Sequence, residues 1–201
     1  MKVLTTASEA VAAVERWAVI ALAVALVGLI LLNVVTRSLA MAIYWVDEMA
    51  VYCMIWLVFI GASLALRRRR HVRVTAVIVA LPRGAAQAVE AVLDAIVFAF
   101  CAFMIWMAWI WYDPVTLAGY GFDLDAFAGA TFNFIYDEPT TTIGAPKYWV
   151  WLVMPLFALT TTLHAAANLA DRLAGRAPIE RAPAPPPEKE TAKGAAKGAM
   201  K

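Results

Sequence analysis

Residues 45–71 read WVDEMAVYCMIWLVFIGASLALRRRRH. Asp47 and Glu48 open the stretch, no charge occurs between residues 49 and 66, and Arg67, Arg68, Arg69, Arg70 and His71 close it. A helix rises about 1.5 Å per residue, so the uncharged run reaches about 27 Å, close to the ~30 Å hydrocarbon layer of a bilayer. A helix lying on a soluble core carries charge along one face. This one carries charge only at its ends, which is the pattern of a rod that crosses lipid and is held at both surfaces.

The rest of the chain agrees. Of 201 residues 63% are apolar and 16% charged, against about 45–50% and 25% in soluble domains. A chain of this length has too little interior to hide that surface, so lipid must solvate much of it. Four segments are long and apolar enough to span: 17–35, 44–66, 88–112 and 148–170. Backbone amides in lipid must be satisfied within the segment, and none of the four alternates as a barrel strand does, so all four read as helices. The first is read as a retained span and not as a cleaved leader, because sixteen residues precede it and a leader is about 15–30 residues in all.

Lysine and arginine sort by connection. The residues up to Arg16 hold two, the 67–83 connection six and the chain from Asp171 seven, whereas 36–48 and 112–147 hold one each, Arg37 and Lys147. Basic residues mark the cytoplasmic side, so both termini are expected inside. The two external connections carry seven acids, Asp47, Glu48, Asp113, Asp123, Asp125, Asp137 and Glu138. Tyr44, Trp45, Trp106, Trp109, Trp111, Tyr112, Tyr148, Trp149 and Trp151 all fall near that outer interface, where amphipathic rings are stable.

The sequence therefore describes an all-α integral membrane protein. Residues 1–174 form a four-helix transmembrane domain, 113–146 an external cap, and 175–201, rich in Pro, Ala and Lys, a disordered cytoplasmic tail. Residues 71–83, HVRVTAVIVALPR, are too short to span and are expected along the inner surface. Arg67, Arg68, Arg69, Arg70 and Arg73 there are candidates for lipid headgroup contacts, at roughly 1 kcal/mol each.

Ionisable groups inside spans are costly and call for a role. Gln87, Glu90 and Asp94 share one face of the third helix, and Thr161, His164, Asn168 and Asp171 share one face of the fourth. Asp94 and His164 both lie about 9 Å below the same inner surface, so Glu90, Asp94, His164 and Asn168 are expected to form one polar cluster. Such a cluster either bonds helices together or relays protons. The first reading is preferred, because above Asp94 the third helix offers only apolar groups and a relay needs polar groups through the full depth. Ala18, Ala21, Ala25 and Gly28 on the first helix, and Gly61 and Ala65 on the second, form small-residue faces that admit close helix approach.

No phosphate-binding glycine loop, dinucleotide fingerprint, nucleophile elbow or zinc-protease motif occurs. Cys53 and Cys101 have no metal or redox spacing and read as small buried hydrophobes. His71 and His164 do not make a haem pair. No catalytic residue, cofactor, metal or nucleic-acid partner is expected. Three functional classes remain: an accessory subunit that grips a larger membrane protein, the membrane anchor of a redox enzyme, and a small autonomous channel or exporter.

One family matches the residues in order: NVVTR at 33–37, WVDE at 45–48, WLVFIGA at 56–62, the arginine run, HVRV at 71–74, and Leu81–Pro82. This order resembles the small, DctQ-type membrane subunit of tripartite ATP-independent periplasmic (TRAP) transporters. The resemblance covers residues 10–112 closely, and the fourth helix by position and hydrophobicity. It makes Asn33, Arg37, Trp45, Glu48, Trp56, Gly61 and His71 pattern residues with structural roles. It also implies a bacterial inner-membrane location and two protein partners, a large sodium-driven membrane subunit and a periplasmic binding protein that delivers an organic acid. The small subunit would be a non-catalytic scaffold beside a moving domain. Two departures are the absence of a basic residue after Glu48, where Ala50 and Val51 stand, and Thr75 in place of an acid. Glu48 is expected to pair with Arg37, and the acids Asp123, Asp125, Asp137 and Glu138 to meet the binding protein.

Overall fold

The computed structural model describes residues 2–68 and 81–176. Helix α1 covers Lys2–Ser38, α2 Tyr44–Arg67 and α3 Arg83–Tyr112. Two short helices, α4 (Pro114–Gly119) and α5 (Leu124–Thr131), follow, and the chain returns through α6 (Tyr148–Trp151) and α7 (Val153–Leu173). Four stretches meet the length and hydropathy of membrane spans: Val3–Ser38, Tyr44–Arg67, Gly84–Gly119 and Tyr148–Leu173. The described residues contain no strand, only an isolated bridge between Pro139 and Pro146. The segment read as lying along the inner surface falls largely in 69–80, and the tail in 177–201, outside the described residues.

Helix α1 begins at Lys2, far ahead of the apolar run at Trp17, and is about 55 Å long. Its first turns remain helical because Ser8, Ala12 and Glu15 recur on one face and are buried there against α2 and α7. The helix stops in a Schellman turn, in which Met41 N–H donates to Thr36 O at 2.9 Å and Ala40 N–H to Arg37 O at 3.0 Å. Ala40 occupies the left-handed position, φ +57°, that glycine usually takes.

The fourth span is interrupted at Leu152. Pro155 has no N–H for the carbonyl of Trp151, and its ring crowds that carbonyl, so the helix restarts at Val153. Trp56 on α2 reaches this turn, its indole N–H donating to Val150 O at 3.0 Å.

The four spans run antiparallel to their chain neighbours. α1 pairs with α2, α3 joins the bundle through α7, and α7 touches all three. The bundle thus has a basic end, where Arg67 and Arg172 lie, and an acidic end, where Asp47 and Glu48 lie. At the acidic end residues 113–147 fold over the helix ends. Asp113 and Asp123 cap α4 and α5, accepting from Thr116 N–H at 3.3 Å and Ala126 N–H at 3.0 Å. Leu117, Phe127, Ile135 and Tyr136 form a small core with Tyr112, Leu124 and Tyr148. The Tyr136 hydroxyl donates to Tyr112 O at 2.5 Å. Burial raises the Tyr136 phenol above its ordinary value, and the nearby Asp113 carboxylate adds to the shift.

Candidate functional site: polar clamps at both ends of the bundle

At the basic end three clamps converge on α7. The first centres on Glu15, which α1 carries into the interior. Ser63 on α2 donates to Glu15 Oε1 at 2.6 Å, and His164 Nε2 lies 3.0 Å from Glu15 Oε2. His164 Nδ1 lies 2.7 Å from the Ser8 hydroxyl, and Ser63 lies 2.8 Å from the Thr160 hydroxyl. His164 and Ser8 are fully buried. Serine, histidine and glutamate stand in the order of a hydrolytic triad. Here the serine is fully buried, and the chain of bonds joins α1, α2 and α7.

The second clamp is Arg67. Its guanidinium donates to Glu9 at 3.0 Å, Asn168 Oδ1 at 2.8 Å and Asp171 Oδ2 at 3.3 Å. Asn168 in turn donates to Leu66 O, in the last turn of α2, at 2.9 Å. The third is Arg172, whose Nε donates to Asp94 at 3.0 Å while its Nη2 pairs with Glu90. All three side chains are almost wholly enclosed. Removing one partner from such a buried set costs about 3–5 kcal/mol, because a charge is left where water cannot reach it.

The single cluster expected around Asp94 and His164 is therefore resolved into separate groups. Asp94 bonds Arg172 across the α3–α7 seam, and His164 bonds Glu15 and Ser8 on another side of α7. Asp94 meets Arg172, which lies eight residues further along α7 than His164, about 12 Å of helix rise. The headgroup role expected of Arg67 also changes. Its side chain is only 10% exposed and is occupied by protein acceptors. Arg69, Arg70, His71 and Arg73 lie outside the described residues.

At the acidic end Arg37 pairs with Asp47 at 2.5 Å, not with Glu48. Asn33, one turn back on α1, accepts from Arg37 Nε at 2.8 Å and donates to the other oxygen of Asp47. Adjacent residues on a helix point about 100° apart, so Glu48 faces away from α1. It accepts from the backbone N–H groups of Thr141 at 2.7 Å, Thr142 at 2.8 Å and Ile143 at 3.3 Å, and from the Thr142 hydroxyl. Tyr52 donates to it at 2.6 Å. Successive amides aimed at one carboxylate form an anion nest, which ties the loop before α6 to α2.

Of the other pattern residues, Trp45 is half exposed. A Cβ placed on Gly61 or Gly28 meets nothing within 4 Å, so neither glycine serves close packing within this chain. In the cap Asp123, Asp125, Asp137 and Glu138 are all exposed. Asp123 caps α5, and Glu138 pairs with Lys147 at 2.5 Å. Among the described residues Asp125 and Asp137 have no such partner. Both cysteines are free thiols, and no three His, Cys, Asp or Glu side chains among the described residues converge as metal ligands.

Sequence reasoning missed Glu15, Ser8, Ser63 and Arg172. Two signals were available. Ser8 and Glu15 are seven residues apart, on one face of a helix continued backwards from Trp17. Arg172 lies four residues after Asn168, on the polar face of α7 already identified.

These observations define a class: a membrane-spanning helical bundle whose buried polar groups bond its own helices together. The family model described as "Tripartite ATP-independent periplasmic transporters, DctQ component" matches residues 26–175. The chain belongs to this family, and so is a component of a TRAP transporter. No curated protein compared with the chain matches it.

Proposed function

We propose that this chain is the non-catalytic scaffold subunit of a sodium-driven importer of an organic acid, set in a bacterial inner membrane with both termini cytoplasmic. Its partners on this reading are the large membrane subunit and a periplasmic binding protein. One observation carries the proposal: the buried Glu15, Ser63, His164, Asn168 and Arg172 side chains bond to other helices of this chain, while the outer face of α1 is bare and apolar. Val24, Val27, Leu31 and Val34 there are each more than half exposed. A bundle clamped at both ends resists tilting and shear, which is what a fixed support beside a moving domain requires. The open space at Gly28 and Gly61 leaves room for helices of a larger neighbour.

The test replaces Gly28 and Gly61 with Leu. Each variant should leave the isolated chain at least as stable as wild type, since leucine favours a helix over glycine, and reduce copurification of the large subunit. Intact copurification, or solute uptake by the reconstituted chain alone, refutes the scaffold reading.

We further propose that the binding protein docks on the cap. Asp125 and Asp137 supply free charge there, and Phe122, Phe132 and Phe134 supply exposed rings. Because Asp123 and Glu138 also hold the cap together, Asp125→Asn with Asp137→Asn is the cleaner variant. It should raise the binding-protein concentration needed for half-maximal uptake, and an unchanged dependence argues against docking at these acids.

A further inference from the structure

Beside Arg67 the basic end carries a hollow of about 190 Å³, lined by Glu9, Ala12, Ala13, Arg16, Arg67 and Arg68. We propose that it binds the phosphate of an anionic phospholipid, with Arg16 and Arg68 as the ligating guanidinium groups. This goes beyond the scaffold reading and does not depend on transport; it places a lipid on the α1 face that the larger neighbour would cover, and so concerns the chain without that neighbour.

Charge singles out these two arginines. Glu9, the only acid lining the hollow, lies 2.7 Å from Arg67, which is itself enclosed by Asn168 and Asp171. Arg16 and Arg68 are exposed and have no carboxylate partner among the described residues. The Arg16 guanidinium lies over the Trp17 ring, 5.9 Å from its centroid. Two guanidinium groups without a carboxylate partner therefore border a cavity where Ala12 and Ala13 leave room for a phosphate.

Position makes the phosphate a lipid's. Arg16 is seven residues further along α1 than Glu9, about 10 Å nearer the bilayer centre. Its side chain must rise past Ala12 and Ala13 to line the hollow, as a long cationic chain does when it snorkels to the headgroup layer. Directly below, the same face of α1 continues as Ile20, Val24, Val27 and Leu31, spaced by four, three and four residues and 47%, 68%, 56% and 60% exposed. A cationic notch running into an apolar stripe has the shape of a headgroup followed by an acyl chain. A free phosphate ion has no use for the stripe.

The test uses the full chain in neutral detergent, titrated with phosphatidylglycerol, phosphatidylcholine or inorganic phosphate and read by native mass spectrometry. The wild type should prefer phosphatidylglycerol to phosphatidylcholine. Arg16→Gln and Arg68→Gln should each weaken phosphatidylglycerol binding about fivefold, the factor that one surface guanidinium contributes. Arg176→Gln, an exposed arginine beyond the hollow, should leave it unchanged. Both lining residues are exposed, so the variants keep the fold, and phosphatidylcholine adducts should persist unaltered. Equal effects of all three variants mean general charge attraction and overturn the site. So does binding of phosphatidylcholine as tight as that of phosphatidylglycerol. Displacement of phosphatidylglycerol by millimolar inorganic phosphate overturns the lipid assignment in favour of a free anion.

Discussion

Helices α1 and α7 contribute to the bundle in opposite ways. The most apolar window of α1 has a mean hydropathy of 2.9, and none of it is buried within the chain. The corresponding window of the span containing α7 has a mean hydropathy of only 1.5, and 33% of it is buried. In water the order would be reversed, because burial would follow apolarity. In lipid the apolar helix is already solvated, and the helix that carries polar groups must sit at the centre, where its neighbours satisfy them. Burial here therefore reports hydrogen bonding more than hydrophobicity.

That contrast can be broken most severely at Arg172. Arg172→Leu removes the guanidinium that Glu90 and Asp94 share and should cost about 3–5 kcal/mol, seen as loss of the folded chain in detergent. Adding Glu90→Gln and Asp94→Leu should recover much of that loss, since replacing a whole buried ionic set is often near neutral. A single variant as stable as wild type would mean that α7 is not centred by its charges.

His164→Leu should cost a comparable amount. It leaves the Ser8 hydroxyl and one Glu15 oxygen without a partner, at about 1–3 kcal/mol each. Limited proteolysis should then find the first turns of α1 before any other described helix. Uniform cleavage would show that Glu15 and His164 do not secure that segment.

On α1 itself the largest single gain should come from backbone, not contact. Ala40→Gly relieves a left-handed alanine and should stabilise by about 1 kcal/mol, read as a higher unfolding midpoint. The smallest effect should be Val27→Ala on the bare face, within about 0.5 kcal/mol in the isolated chain. A larger loss there would mean that α1 packs against its own chain along that face.

Much of this architecture was legible beforehand, for a physical reason. A bilayer imposes a length and forbids unpaired backbone, so apolar runs such as 49–66 declare themselves as spans without reference to any neighbour. The order of short motifs from Asn33 to Pro82 was enough to suggest the family. The clamps were less legible. Periodicity placed Glu90 and Asp94 on one face and His164 and Asn168 on another. It did not extend α1 back to Lys2, because the apolar run begins only at Trp17, so Glu15 and its bond to His164 went unseen.

Sequence by itself determined which segments cross the bilayer and which residues share a helix face, because both follow from rise and turn along one chain. Tertiary structure alone decided which carboxylate each cation meets. Arg37 takes Asp47 and leaves Glu48 to the loop amides, and Arg172, not His164, takes Asp94. The rotation and axial offset of one helix against another set those choices, and neither quantity is written in the spacing of residues along a single rod.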